Sequence, residues 1–545
     1  MLAVCPSVTD KHMCRPTSSF QEFTRQLIAT DLARFRLYAE RVLTVGVWYH
    51  SDRFTYLPDR ARKIAITSDN LQELGRVATV NGWRLLPNVK TLVYKESDVE
   101  MSGSLAAHVP HLLGPQLRQF KYQSRLSYVL AAHADLPHVE GMQGVTTMFA
   151  ALQQYAPQLV ELAIHIDRCS RPIVEAIWDV VLACRDLISL EIDQPISITP
   201  AALRHLARIL FLERLSFAST DKAFTKQEIK AFHRDLPPSE TFPRLRRSSM
   251  ALVNLDLAYT FVRHVSSPYL EGLEIEVSLG RRPVPSSSVP RFFRAFPHLP
   301  RISAFKSLHV RFNVYRHDNP AIPPDPITQE LLRPFLGSSR IEKFELVVGC
   351  PFALDDAFIE EIVRAWPNIE DLRLGACYPR VPADTPAVTW NSIITMARGW
   401  PLLQELSIEF DTDVSRVSPA TRKKLRESNS ANQYEDLRTL VFMDVGCSKI
   451  DDEMAIAALM SELFTPLAEV NSAWEELARQ EQGWEELRME REGDAFQPDP
   501  ELETRVAQYM TYCDRWLSLE EPMDHLILIR WQEWNWQHAG SVSLE

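Results

Sequence analysis

Along most of this chain, apolar residues recur at fixed offsets inside short stretches. In Leu403-Gln404-Glu405-Leu406-Ser407-Ile408, followed by Asp411, they take the first, fourth and sixth places and polar residues fill the gaps. Alternation of this kind predicts a strand with one side on a core and the other facing out. Aligned on the middle apolar residue, variants recur at Leu92, Phe120, Leu162, Leu190, Leu215, Leu273, Leu308, Phe344, Leu372, Leu406 and Leu440. The residue two places later is apolar or aromatic each time, from Tyr94 to Phe442, and so is the residue three places earlier, from Val89 to Leu437. Five places after the anchor a polar residue or cysteine is frequent (Asp167, Asn313, Cys377, Asp411), as expected where a side chain must satisfy backbone groups at a bend. Between Leu215 and Leu273 the spacing opens to 58 residues, and Phe242-Pro243-Arg244-Leu245 marks a degenerate copy inside it.

Helical patterns separate the predicted strands. Ile173, Ala176, Ile177, Val180, Val181 and Cys184 fall on one helical face. Thr199 followed by Pro200 reads as an N-cap and first helical residue. Residues 355–366 and 390–400 repeat the theme, each closing on Trp-Pro. Strand, loop, helix, loop, repeated, predicts an α/β leucine-rich-repeat solenoid, a horseshoe with a parallel sheet on the concave face and helices on the convex face. No unit could bury its apolar face alone.

The flanks read differently. Residues 1–18 are polar and read as a disordered N-terminus. Ser19 and Glu22 have capping-box spacing, predicting a helical region to about Glu40, then a first strand over 41–47 and a helix near 68–81; together 19–83 form an N-terminal cap. The irregular solenoid spans 84–446, interrupted by Pro/Ser-rich loops at 280–290 and 318–326. Residues 447–545 read as a C-terminal helical cap carrying an acidic, WEEL-duplicated segment from Trp474, and the final apolar run Leu526–Trp531 reads as a terminal strand.

Composition narrows the function classes. Fifty-nine Lys+Arg against 71 Asp+Glu leave a net charge of −12, which gives no global attraction to nucleic acid or to anionic membranes. Eight cysteines lie scattered, without C-x-x-C or zinc spacing, and point to a reducing compartment, cytoplasmic and/or nuclear. No phosphate-binding loop, nucleophile elbow or H-E-x-x-H motif occurs, and no cofactor or metal is expected. His133 and His138 stand five apart with Pro137 between them, which excludes one helical face. The pairs Asp355-Asp356 and Asp451-Asp452 fall where helix N-termini are expected. Catalytic residues are therefore not assigned.

What remains is the outward side of the strands, the expected surface for a protein partner. It comprises Glu161, His165, Glu191, Asp193, Arg214, Glu274, Glu276, His309, Arg311, Lys343, Glu345, Asp371, Arg373, Glu405 and Glu409. Their signs mix between neighbouring repeats, as they would if adjacent strands paired charges across the sheet.

The segment Asp31-Leu32-Ala33-Arg34-Phe35-Arg36-Leu37-Tyr38-Ala39-Glu40-Arg41-Val42, with Arg84-Leu85-Leu86-Pro87-Asn88-Val89-Lys90-Thr91-Leu92, resembles the fungal F-box proteins with leucine-rich-repeat-like C-terminal regions. The resemblance covers roughly residues 20–450. It implies a substrate receptor of a cullin-type ubiquitin ligase, with the repeats selecting the substrate. The early Leu-Pro and late Trp of an F-box do not occur in residues 1–30, so adaptor binding would require an F-box upstream of Met1. The alternative is a free-standing interaction scaffold with no role in ubiquitin transfer.

Overall fold

The computed structural model describes residues 14–17, 20–23, 27–28, 30, 33–49, 68–96, 106–124, 139–166, 169–193, 196–219, 224–237, 240–253, 255–278, 288–313, 326–348, 350–375, 386–423, 440–464, 467, 469–493 and 496–539. His133, His138, Asp167, Cys377, Leu437 and most of the two Pro/Ser-rich loops lie outside them. The chain divides into two compact units, residues 1–251 with 264–267, and residues 252–263 with 268–545. Both are α/β repeat stacks of the leucine-rich-repeat kind, and among the described residues they hold fourteen repeat strands in chain order.

In the first unit these are β1 (Thr44–Tyr49), β2 (Thr91–Glu96), β3 (Gln119–Ser124), β4 (Glu161–Ile166), β5 (Ser189–Ile192), β6 (Arg214–Ser219) and β7 (Arg247–Leu252, all but its last residue). From β1 to β6 each strand pairs in parallel with the next, and the register runs Val45, Leu92, Phe120, Leu162, Leu190, Leu215. All six are buried. At the start of each rung, two successive N–H groups donate to one carbonyl of the rung before. Lys90 and Thr91 donate to Leu43 at 2.8 and 3.1 Å, Arg118 and Gln119 to Lys90 at 2.8 and 2.9 Å, and the carbonyls of Arg118, Val160, Ile188 and Glu213 serve the following rungs alike. The last of these places Ser248, at 4% exposure, where Leu215 stands one rung earlier. A serine at an apolar anchor is why the pattern dims across the 58-residue gap.

The intervening helices bury one stripe. Arg171–Ala183 buries Ile173, Ile177, Trp178, Val180 and Val181. Pro200–Ala207 starts under Thr199, whose Oγ1 accepts from the Ala202 N–H at 3.2 Å. At the N-terminal side, Phe20–Phe23 is not helical: it pairs antiparallel with Cys14–Thr17, part of the stretch expected to be disordered, and the first helix is Ala33–Ala39. The capping-box spacing at Ser19 was outweighed by strand pairing, which satisfies the same backbone groups.

The second unit contains β8 (Gly272–Ser278), β9 (Ser307–Asn313), β10 (Lys343–Val347), β11 (Asp371–Gly375), β12 (Glu405–Ile408), β13 (Phe442–Asp444) and β14 (Glu469–Asn471), again paired in parallel. The shared-carbonyl arrangement recurs at Glu271, Lys306, Glu342, Glu370 and Gln404. Behind the sheet an aromatic chain crosses the rungs: Phe292 to Phe296 at 5.2 Å, Phe296 to Phe335 at 4.9 Å, Phe335 to Phe344 at 5.5 Å and Phe344 to Trp366 at 4.5 Å. Asp355 caps the helix Asp356–Ala365 through Phe358 N–H at 2.8 Å, and Asp452 caps Glu453–Leu463 through Ala455 N–H at 2.9 Å, so these acidic pairs serve helix starts. Ser288–Phe293 is helical, which shortens the loop expected over 280–290.

Two expectations shift. The Gln404 carbonyl receives the Val441 and Phe442 N–H groups, so the anchor of β13 is Met443, in register with Leu406, and Leu440 takes the place of Leu403. Met443 and Val445 are buried whereas Phe442 is half-buried on the outward side. Leu440 and Phe442 themselves carry apolar spacing, which places the sequence pattern three residues early. Leu526–Trp531 is likewise not a strand but part of the helix Glu520–Ala539. Its Leu528 and Ile529 remain about half exposed, while Arg530 donates to Ser461 Oγ at 2.6 Å and to the Ala458 carbonyl at 3.0 Å. Docking on the helix Glu453–Leu463 overrode local β propensity.

In the WEEL-duplicated helix Trp474–Glu492, Trp474 and Leu477 of the first copy are buried, whereas Leu487 of the second is exposed. The indoles of Trp474 and of Trp516, from the helix Leu502–Leu517, both donate to the Ser448 carbonyl, at 2.9 and 2.8 Å.

The β13 register is testable. Met443→Ala is expected to lower unfolding free energy by about 2–5 kcal/mol and Phe442→Ala by at most about 1 kcal/mol, measured by urea denaturation. Equal losses would contradict this register.

Candidate functional site

Because strand side chains alternate, the residues between the buried anchors all emerge on the opposite side of each unit's sheet. In the first unit Glu161 accepts from Arg214 Nη2 at 3.0 Å, reaching past Ser189 on the intervening strand. His165 lies between two carboxylates of β5 and its C-terminal extension. Its Nδ1 meets Asp193, and its Nε2 stands 3.9 Å from Glu191. The hydrogen bond to Asp193 raises the His165 pKa, with the charge of Glu191 adding to it, against burial and Lys121. Ligand atoms of His165, Glu191 and Asp193 come within 4.8 Å of one another, the one such His/carboxylate group among the described residues. The carboxylates face opposite ring nitrogens, an arrangement that favours the protonated imidazole. No spacing rule in the sequence singled out this trio, because its members sit on adjacent strands.

In the second unit the outward row running across the strands is Glu274, His309, Glu345, Arg373, Ser407, Asp444 and Asn471. Glu345, 5% exposed, is its most enclosed charge. His309 Nδ1 lies 3.1 Å from it, and Arg311 donates through Nε at 3.1 Å and Nη2 at 2.6 Å. Burial pushes this carboxyl up, but the bonds from His309 and Arg311 outweigh it and bring it down to about 2. Arg373 joins Asp371, at 3.2 Å, to Glu405 and lies 5.9 Å from the Phe442 ring. Burial raises the Asp371 pKa, Arg373 opposes it and Glu405 adds to it.

Farther along, Glu409 is held beside Gly446, whose φ of +56° and lack of a side chain are both required: a Cβ there would sit 2.5 Å from Glu409 Cγ. Burial raises the Glu409 carboxyl to about 7, with Asp444 adding to the effect and the Cys447 N–H, at 3.2 Å, opposing it. Asp411 accepts from Asp413 N–H at 3.1 Å and closes the bend after β12. Glu276 stands in register with Arg311, whereas Glu274 and Lys343 are exposed and have no side-chain partner among the described residues. Of the fifteen residues expected on the outward surface, thirteen lie at outward strand positions, with Glu345 buried among them, and Asp193 and Glu409 follow directly after β5 and β12; they form two sets on two units.

These pairings determine pH behaviour. The Glu345 pKa is depressed on folding, so its contribution to stability is present above about pH 4.3, the unfolded value, and is lost as pH falls toward 2. Glu345→Gln should abolish that acid-limb loss. Glu409 has the opposite sign: its contribution is complete below about pH 4.3 and lost as pH rises through 7, so Glu409→Gln should gain relative stability above pH 7. Urea denaturation at a series of pH values checks both, and parallel curves for wild type and variants would refute them.

No protein-family model and no curated protein sequence matches the chain. Among solved structures, the chain has a likeness to the "Crystal structure of Rad7 and Elc1 complex in yeast" at 12% identity and a TM-score of 0.28, covering 56% of this chain and 83% of that one. A likeness of that degree carries no weight for partner or activity.

Proposed function

We propose that this chain is a non-enzymatic scaffold that recognises a protein partner through the open side of its repeat strands. The supporting observation is the cross-strand network Glu345, His309, Arg311 with its neighbour Asp371, Arg373, Glu405. Charges tied to one another across three or four rungs hold fixed positions before any partner arrives, which lowers the ordering cost of binding. The thiols of Cys169 and Cys184 fit a binding role better than a nucleophilic one, since burial pushes both up to about 12. Free, mostly buried cysteines also suit a reducing compartment, cytoplasm and/or nucleus. Among the described residues no helix is long and apolar enough to cross a membrane.

Within this reading, a role as substrate receptor of a cullin-type ubiquitin ligase rests on the family-like segments 31–42 and 84–92; a free-standing scaffold is the alternative. Proximity labelling in cells by the full chain, with adaptor co-precipitation beside it, separates them. A reproducible protein set that includes the adaptor is expected of a receptor, and the same set without it of a free-standing scaffold. Absence of any enriched protein would sink the scaffold reading altogether.

A further inference from the structure

The open face of the second unit is not evenly charged. At its centre, on β9 to β12, the anions Glu345, Asp371 and Glu405 are held by Arg311 and Arg373, and Lys343 stands in register beside Asp371. At its two ends they are not. Glu274 on β8 is exposed and makes no hydrogen bond or ion pair among the described residues. On β13, Asp444 accepts from Ser407 Oγ at 3.0 Å and from Gly446 N–H at 2.9 Å, and on β14, Glu469 accepts from Asn471 Nδ2 at 2.7 Å. Those donors are neutral, and among the described residues no cation forms an ion pair with either carboxylate.

Glu274 and Asp444 belong to one row and are five strand steps apart. At about 4.8 Å per step that is about 24 Å, the span of about seven residues of extended chain. Resting on the scaffold reading, we infer that this face binds an extended segment of a partner protein bearing two basic clusters about seven residues apart. One cluster meets Glu274 and the other meets Asp444 and Glu469, while the intervening residues cross the balanced centre. A polyanion such as nucleic acid would meet repulsion at both ends. Charge arranged in this way sets register as well as strength, because sliding the segment by a few residues withdraws both clusters together.

The test is fluorescence anisotropy on the full chain with three labelled peptides of equal length. One carries two Lys-Arg pairs separated by seven Gly/Ser residues, one carries the same four cations contiguously, and one replaces the cations with Asp and Glu. The split peptide should bind about tenfold more tightly than the contiguous one, and its binding should weaken with added salt. Glu274→Lys, at an exposed unpaired site that folding does not depend on, should weaken it about tenfold, and Asp444→Asn with Glu469→Gln should do likewise. Glu475→Lys with Glu476→Lys, on the helix Trp474–Glu492, should leave it unchanged. Equal binding of split and contiguous peptides, indifference to Glu274→Lys, or self-association of the chain that Glu274→Lys abolishes would each overturn the inference. If proximity labelling captures the same proteins with Glu274→Lys as with wild type, this inference fails and the scaffold reading stands; if wild type captures none, both fail.

Discussion

A single backbone carbonyl receiving two consecutive N–H groups is the contact on which both units depend. It occurs at the start of rung after rung, from Leu43 to Glu213 in the first unit and from Glu271 to Gln404 in the second. The geometry ties each strand to the residue where the previous one begins, so the register cannot slip without breaking two hydrogen bonds at once. A slip of one residue would also turn every anchor outward and every charge inward. Burial of Leu92, Phe120 and Leu162, or of Leu308, Phe344 and Leu372, therefore follows from the same contact that exposes the residues between them.

With register settled, the two sides of each sheet do different work. The covered side is filled by aliphatic anchors and, in the second unit, by the ring series from Phe292 to Trp366, whose edge-on and tilted contacts bind successive repeats together. Helix starts are closed locally by Thr199, Asp355 and Asp452, so the loops need contribute little more than direction. The open side is where ionisable groups influence one another. Glu345 and Glu409 belong to the same face and are both shielded from water, yet their pKa values move in opposite directions. The difference is the neighbour: an arginine and a histidine overcome burial at Glu345, whereas at Glu409 burial prevails over a single Cys447 N–H, with Asp444 adding to it.

Some elements were legible in the chain and others were not, for physical reasons. Helices with one apolar stripe, such as Arg171–Ala183, and caps such as Thr199 depend on near neighbours, and they stand where the spacing puts them. The rung at β7 was blurred because Ser248 occupies an apolar place, and the anchor of β13 was displaced because Leu440 and Phe442 imitate the pattern. Phe20–Phe23 and Leu526–Trp531 took the opposite secondary structure from the one their local signals favour, the first by pairing with the neighbouring strand Cys14–Thr17 and the second by packing on the helix Glu453–Leu463.

The candidate site divides along the same line. Alternation along a strand is a property of consecutive residues, so which side chains face outward, from Glu161 to Glu409, was determined by the sequence by itself. Which of them meet was not. Glu161 reaching Arg214 across an intervening strand, His165 held between Glu191 and Asp193, and Glu345 held by His309 and Arg311 all join residues 26 to 53 positions apart. Only the tertiary structure decided those, because they depend on the lateral order and register of separate strands, and one sequence carries no local signal for either.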